Sequence, residues 1–313
     1  MTTIPFVHSL SSADADAWLA SLGAAGSRFR FETVDKMTPE QREAARVAVV
    51  ANPNPEDLGE LPKLEWVQSL WAGVERLLTE IPREDLPVVR MTDPHLADSM
   101  AEAVLAWTWF LHRDVPRYQR QQREAMWRPH PVVPAQSRKV GVLGLGHLGR
   151  AAATRLRDNG FQVIGWSRRP RKIDRIVTRH GAEGLDQVLA AAEILVVLLP
   201  LTPQTDGLLD APRLETMSAG ASLINFARGR IIDDPSLIAA LDSGRLAHAV
   251  LDVFAQEPLP ADHPYWTHPS VTVLPHVAAP TNRDTASTVV NANLERFFDR
   301  GDIPAAASRA RGY

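Results

Sequence analysis

The chain has 313 residues, no cysteine and a formal net charge of −3, with 45% hydrophobic and 23% charged residues. This length favours two domains over one, and the ordinary composition points to a folded globular protein; the charge balance gives no electrostatic case for nucleic acid as a partner. The missing cysteines exclude disulfides, thiolate nucleophiles and Cys-ligated metals; with neither a basic stretch leading into an apolar core at the N-terminus nor an apolar run of bilayer length, no membrane is expected and the expected compartment is the cytoplasm.

In chain order, short apolar runs at 5–8, 29–34, 46–51, 66–70 and 88–91 read as strands, with helical character at 13–22 and 74–80. Such alternation predicts a parallel α/β sheet. Ser99 and Glu102 have capping-box spacing ahead of an apolar stretch to Leu111, so a long helix is predicted to start near Ser99. Trp107, Phe110 and Leu111 give it an aromatic face, and Trp107 and Trp109 read as core or subunit interface. Residues 117–128 predict a second, charged helix. Alternation resumes with strands at 139–143, 161–166, 194–199, 222–226, 247–253 and 271–274, six in all, as a dinucleotide-binding sheet expects. Residues 281–300 close the chain as a helix with Leu294, Phe297 and Phe298 on an apolar side and Gly301 as its stop.

The most informative stretch is Gly144-Leu145-Gly146-His147-Leu148-Gly149. A strand enters it and an Ala-rich helix leaves it, the context in which glycines let a backbone approach a pyrophosphate that then faces the helix N-terminus. The loop lies mid-chain, so a large domain precedes the nucleotide domain, and the closing helix is placed to rejoin it. The predicted fold is therefore two doubly wound parallel-sheet α/β domains, Rossmann/flavodoxin-like. A discontinuous substrate domain covers 1–98 and 286–313, and a dinucleotide domain covers 99–285. The strand after the loop ends at Trp166-Ser167-Arg168-Arg169, with Lys172 close by. NAD sites place an acid here; a hydroxyl beside guanidinium groups suits a 2′-phosphate instead, which favours NADPH and leaves NADH possible.

Three further segments each close a predicted strand, where open α/β sheets place their ligands. They contain Arg228, then Asp252 and Glu257, then His276. Arg228 has the fork to hold a carboxylate and polarise the adjacent carbonyl. His276 is suited to protonate an oxygen that gains charge, and Glu257 to hold the imidazole and favour its charged form.

With these segments, Leu199-Pro200-Leu201-Thr202-Pro203-Gln204-Thr205 and Ser69-Leu70-Trp71-Ala72-Gly73-Val74, the chain resembles the D-2-hydroxyacid dehydrogenases over nearly its whole length. It looks most like their glyoxylate/hydroxypyruvate reductase A branch, a likeness strengthened by Pro275-His276-Val277-Ala278-Ala279. The resemblance implies a homodimer and NADPH-dependent reduction of a small 2-oxo acid, glyoxylate or hydroxypyruvate, to glycolate or D-glycerate. It implies Arg228, Glu257 and His276 as the catalytic set. Substrate contacts come from Arg228 and from Trp71, Ala72, Gly73 and Val74, with Trp71 walling the pocket. The cofactor lies along Gly144, Gly146, His147, Leu148, Gly149, Trp166, Ser167, Arg168, Arg169, Lys172, Leu199, Pro200, Thr205, Phe226, Ala227, Arg228, Asp252, His276 and Ala278, with Asp252 receiving the nicotinamide carboxamide. No metal site is expected. The residues leave open an NAD-dependent dehydrogenase of a bulkier hydroxy acid and a dinucleotide-sensing interaction protein without chemistry. Asp233 reads as a helix cap, and His263 and His268 as structural.

Overall fold

A computed structural model describes residues 1–24, 27–81 and 83–309. The chain divides into two compact units, Met1–His95 with Thr281–Tyr313, and Leu96–Pro280; residues 310–313 of the tail assigned to the first domain lie outside the described residues. The expected boundaries at 98/99 and 285/286 fall inside the helices Pro94–His112 and Arg283–Arg300. The first of these starts five residues earlier than Ser99 because Asp93 caps it. Its Oδ1 accepts the His95 N–H at 2.9 Å, and Pro94 occupies the first helical position, where its missing N–H costs nothing. Ser99 is interior to that helix. The charged helix that follows spans Val115–Arg123, shorter than predicted.

The first unit holds a five-stranded, all-parallel sheet: β1 (Thr2–His8), β2 (Phe29–Thr33), β3 (Val47–Ala51), β4 (Trp66–Ser69) and β5 (Val88–Val89), in the order β2-β1-β3-β4-β5. This is the flavodoxin-like doubly wound order. The central β3, Val-Ala-Val-Val-Ala, is buried throughout, as a strand covered on both faces must be. The C-terminal helix Arg283–Arg300 completes the unit. It buries Ala286, Val290, Leu294 and Phe297 along one stripe, and Phe297 meets Trp66 edge to face at 5.7 Å. Asn282 caps its start through the N–H groups of Asp284 and Thr285, and Gly301 at φ +73° ends it.

The second unit is a seven-stranded parallel sheet: β6 (Lys139–Leu143), β7 (Gln162–Ser167), β8 (Val177–His180), β9 (Ile194–Val197), β10 (Ala221–Asn225), β11 (Leu246–Leu251) and β12 (Val271–Val273). The order is β12-β11-β10-β9-β6-β7-β8, the dinucleotide-binding arrangement with a seventh strand. Successive residues supply two cores: Ile194 and Val196 of β9 join the cluster of Val140, Val142 and Leu156, whereas Leu195 and Val197 join that of Leu143, Leu189 and Leu223. The strand missed in the sequence is β8. It is a polar edge strand, Val-Thr-Arg-His, with no buried residue, so no apolar run announces it.

Candidate active site

The loop from β6 turns at Gly144, whose φ is +102° and whose N–H donates to the Trp166 carbonyl at 2.8 Å. The helix His147–Asp158 follows, and Gly149 lies so close to the turn that a Cβ there would stand 1.7 Å from the Gly144 oxygen. Gly146, by contrast, is exposed and faces open space. It is the N-cap of that helix and supplies no side-chain acceptor, so the first-turn N–H groups have no side-chain cap and are left for an anion. These residues fit a pyrophosphate. His147 is exposed at the first helical position and Leu148 is half-buried.

At the end of β7, Ser167 is half-buried and its hydroxyl donates to the Arg169 carbonyl at 2.8 Å, while Arg168, Arg169 and Lys172 are exposed. Trp166 does not turn its side chain outward. The indole is 8% exposed in the core and donates to the Gly181 carbonyl at 2.8 Å. Leu199, Phe226 and Ala227 are likewise buried, and Pro200 is half-buried. Thr205 folds the 200–205 loop onto itself, donating to the Pro200 carbonyl at 2.7 Å and accepting the Thr202 N–H at 2.8 Å.

The structure brings Glu257 and His276 together. His276 Nδ1 lies 2.7 Å from Glu257 Oε2, and Glu257 Oε1 accepts the Phe254 N–H at 2.9 Å. With Nδ1–H donating to the carboxylate, Nε2 is left for other chemistry. The hydrogen bond to Glu257 raises the imidazole above its ordinary value, against the opposing effect of burial. Burial pushes the Glu257 carboxyl up, but the hydrogen bonds from His276 and the Phe254 N–H, with the charges of His276 and Arg228, outweigh it and hold the group below the usual carboxylate value. Arg228 is half-buried; its guanidinium donates to the Ala227 carbonyl at 2.6 Å, and its charge acts on both members of the pair.

Two supporting roles are not read from the sequence. Asn225, 1% exposed at the end of β10, accepts the Ala227 N–H and donates to the Arg228 carbonyl, both at 3.1 Å, and so shapes the turn that presents Arg228. Asp252, 2% exposed, accepts the N–H groups of Val277 at 2.7 Å and Ala278 at 2.9 Å. It thereby clasps His276, which sits at φ +54°, a left-handed conformation that costs a non-glycine residue energy and persists only when its surroundings impose it. The signal for Asn225 was present, since an Asn at a strand end commonly bonds the backbone two residues on. None was available for Asp252, whose partners lie 25 and 26 residues away. Asp233 caps the helix Asp234–Asp242 through the Ser236 N–H. His263 and His268 are structural, each accepting a backbone N–H two residues on.

In the first unit, Ser69 Oγ accepts the Trp71 N–H at 3.0 Å and the Trp71 carbonyl accepts the Met91 N–H at 2.9 Å. The Trp71 indole packs against Trp18 in a T-shaped contact at 5.9 Å. Ala72 and Gly73 are half-buried, Val74 is buried, and the following helix Glu75–Glu80 has only six residues.

A seven-stranded sheet with an uncapped helix behind a glycine turn, and an arginine beside a carboxylate–imidazole pair, define a dinucleotide-dependent oxidoreductase. The chain belongs to the D-isomer specific 2-hydroxyacid dehydrogenases: residues 105–278 match the model of that family's NAD-binding domain. It is 35% identical over 308 residues to glyoxylate/hydroxypyruvate reductase A of Yersinia enterocolitica, covering 96% of this chain and 97% of that one. Among solved structures, a D-isomer specific 2-hydroxyacid dehydrogenase of Xanthobacter autotrophicus Py2, in complex with NADPH and MES, is 38% identical with a TM-score of 0.91 over 99% of both chains. The NADPH-dependent glyoxylate/hydroxypyruvate reductase of Sinorhizobium meliloti, in complex with NADP and sulfate, is 31% identical with the same TM-score of 0.91 over the whole of both.

Proposed function

We propose that the protein reduces small 2-oxo acids, glyoxylate and hydroxypyruvate first, to glycolate and D-glycerate with NADPH. The observation that carries this reading is the Glu257–His276 pair, 2.7 Å apart beside Arg228 at the C-terminal ends of the parallel strands. Arg228 holds the substrate carboxylate and draws electron density from the neighbouring carbonyl. When bound, NADPH supplies the hydride that reaches the carbonyl carbon. His276 donates the Nε2 proton to the oxygen as it becomes an alkoxide, and Glu257 keeps the imidazole oriented and protonated near neutral pH. The NADPH preference is supported by the Ser167-Arg168-Arg169 turn, which presents cations where an NAD site carries an acid, and by the cofactors bound to the two similar structures.

NADPH oxidation screened against glyoxylate, hydroxypyruvate, pyruvate and bulkier 2-oxo acids tests the substrate reading; greatest kcat/KM on a bulky acid with NADH would replace it. H276A is expected to lose about 10²–10⁴-fold in kcat while still binding NADPH, and near-native turnover would remove His276 from the mechanism. We also propose a homodimer in the cytoplasm. The dimer reading is supported by the helix Pro94–His112, whose Trp107 and Phe110 are only half-buried, and is checked by sedimentation. No helix among the described residues is long and apolar enough to cross a membrane.

A further inference from the structure

The turn after β7 has a neighbour that the sequence did not reveal, because it belongs to the missed strand. His180 ends β8 and is the register partner of Ser167 across the parallel β7–β8 pair. Register partners project to the same face of a sheet, and paired strands lie about 4.8 Å apart. His180 therefore flanks the position at which dinucleotide sheets recognise the adenosine ribose. Its side chain is exposed and makes no hydrogen bond or ion pair among the described residues.

The placement of His180 is held from both sides. The Trp166 indole N–H, one residue before Ser167, donates to the carbonyl of Gly181, one residue after His180, at 2.8 Å. Gly181, at φ +71°, then turns the chain into the helix Gly181–Ala191. Neighbouring groups are otherwise engaged. Arg179 Nε donates to Gln187 Oε1 at 2.8 Å, and Glu183, the acid of the helix's first turn, accepts from Gln187 Nε2 at 3.1 Å. Ser167 gives its one hydroxyl proton to the Arg169 carbonyl at 2.8 Å. A phosphate dianion beside Ser167 therefore needs N–H donors from elsewhere.

We propose that His180 is a specificity-determining residue for the cofactor's 2′-phosphate. Its imidazole N–H donates to a phosphate oxygen from β8, opposite the arginines of the turn after β7, so NADPH is distinguished from NADH by two adjacent strands. The proposal rests on the reading that the 2′-phosphate sits at the Ser167–Arg169 turn.

The test is the dissociation constant of NADPH and of NADH, measured by calorimetry for the native enzyme, H180A, H180Q and R168A. A hydrogen bond to a charged group at this exposed site predicts that H180A weakens NADPH roughly tenfold and leaves NADH within about twofold, with H180Q, which keeps an N–H donor, in between. Equal weakening of both cofactors would make His180 a packing residue and overturn the proposal. Unchanged NADPH binding in H180A with a loss in R168A would overturn it while leaving the 2′-phosphate at the turn; no change in either variant would overturn both. If H180A fails to fold, H180Q carries the same comparison.

Discussion

Gly229, directly after Arg228, makes the closest backbone approach in the catalytic region. A Cβ at this position would stand 1.9 Å from the Phe254 carbonyl carbon, 2.3 Å from the Ala255 nitrogen and 2.4 Å from the Phe254 Cα. All three are main-chain atoms, so no rotamer change relieves the clash. Restoring ordinary contact near 3.4 Å requires the Phe254–Ala255 backbone to withdraw by about 1.5 Å. That backbone carries the Phe254 N–H that binds Glu257 Oε1 at 2.9 Å, and Glu257 in turn holds His276 at 2.7 Å. A displacement of this size breaks the first bond and misaims the second. Misplacement of a catalytic group by about 1 Å costs roughly 10²-fold, so Gly229→Ala is expected to lower kcat/KM for glyoxylate by about 100-fold or more. Gly59→Ala serves as the control, since a Cβ there meets nothing within 4 Å. Steady-state NADPH oxidation, with thermal melting to confirm folding, reads the outcome. A Gly229→Ala enzyme within about threefold of the native kcat/KM would refute the claim that this approach positions the pair.

The Glu257–His276 bond also predicts a pH profile. The proton-donating form of His276 persists above the ordinary imidazole value because Glu257 raises it, so kcat/KM falls as pH rises through that raised value, and Glu257→Gln moves the alkaline limb to lower pH; an unmoved limb would separate Glu257 from the titration. His248 predicts a stability effect remote from catalysis. Burial, then the charges of Arg120 and His268, lower it from 6.5 to about 4. The unfolded chain therefore binds a proton that the folded one refuses between those values, so stability is full above pH 6.5 and falls by up to about 3 kcal/mol as pH drops towards 4. Denaturant titrations across this range should show a flatter acid limb for His248→Gln, and an identical slope would place the loss elsewhere.

Residue types that chemistry restricts were legible in the chain. A turn against a pyrophosphate needs the glycines of Gly144-Leu145-Gly146-His147-Leu148-Gly149, and a doubly covered sheet needs apolar runs such as that of β3. Two kinds of information were not legible. The first is pairing without burial: β8 joins the sheet by its backbone while its side chains stay in solvent, so hydrophobic periodicity carries no trace of it. With β8 went His180, the register partner of Ser167. A competing local signal moved the start of the helix Pro94–His112: the capping pattern at Ser99 was readable but lost to the Asp93-Pro94 start. The second is the aim of a side chain. Nothing local to His276 marks it for φ +54°, since the acceptor that imposes that conformation is Asp252, on the far side of the Glu257 loop. Asp252 was expected at the nicotinamide, and both of its oxygens already accept backbone N–H groups of the His276 loop. Losing one of those acceptors would release the strained residue towards the ordinary β region and carry the imidazole away from Glu257. The sequence therefore offers the candidate groups for the chemistry, while the direction of His276 comes from Asp252, a buried side chain far away in the chain that no spacing rule picks out.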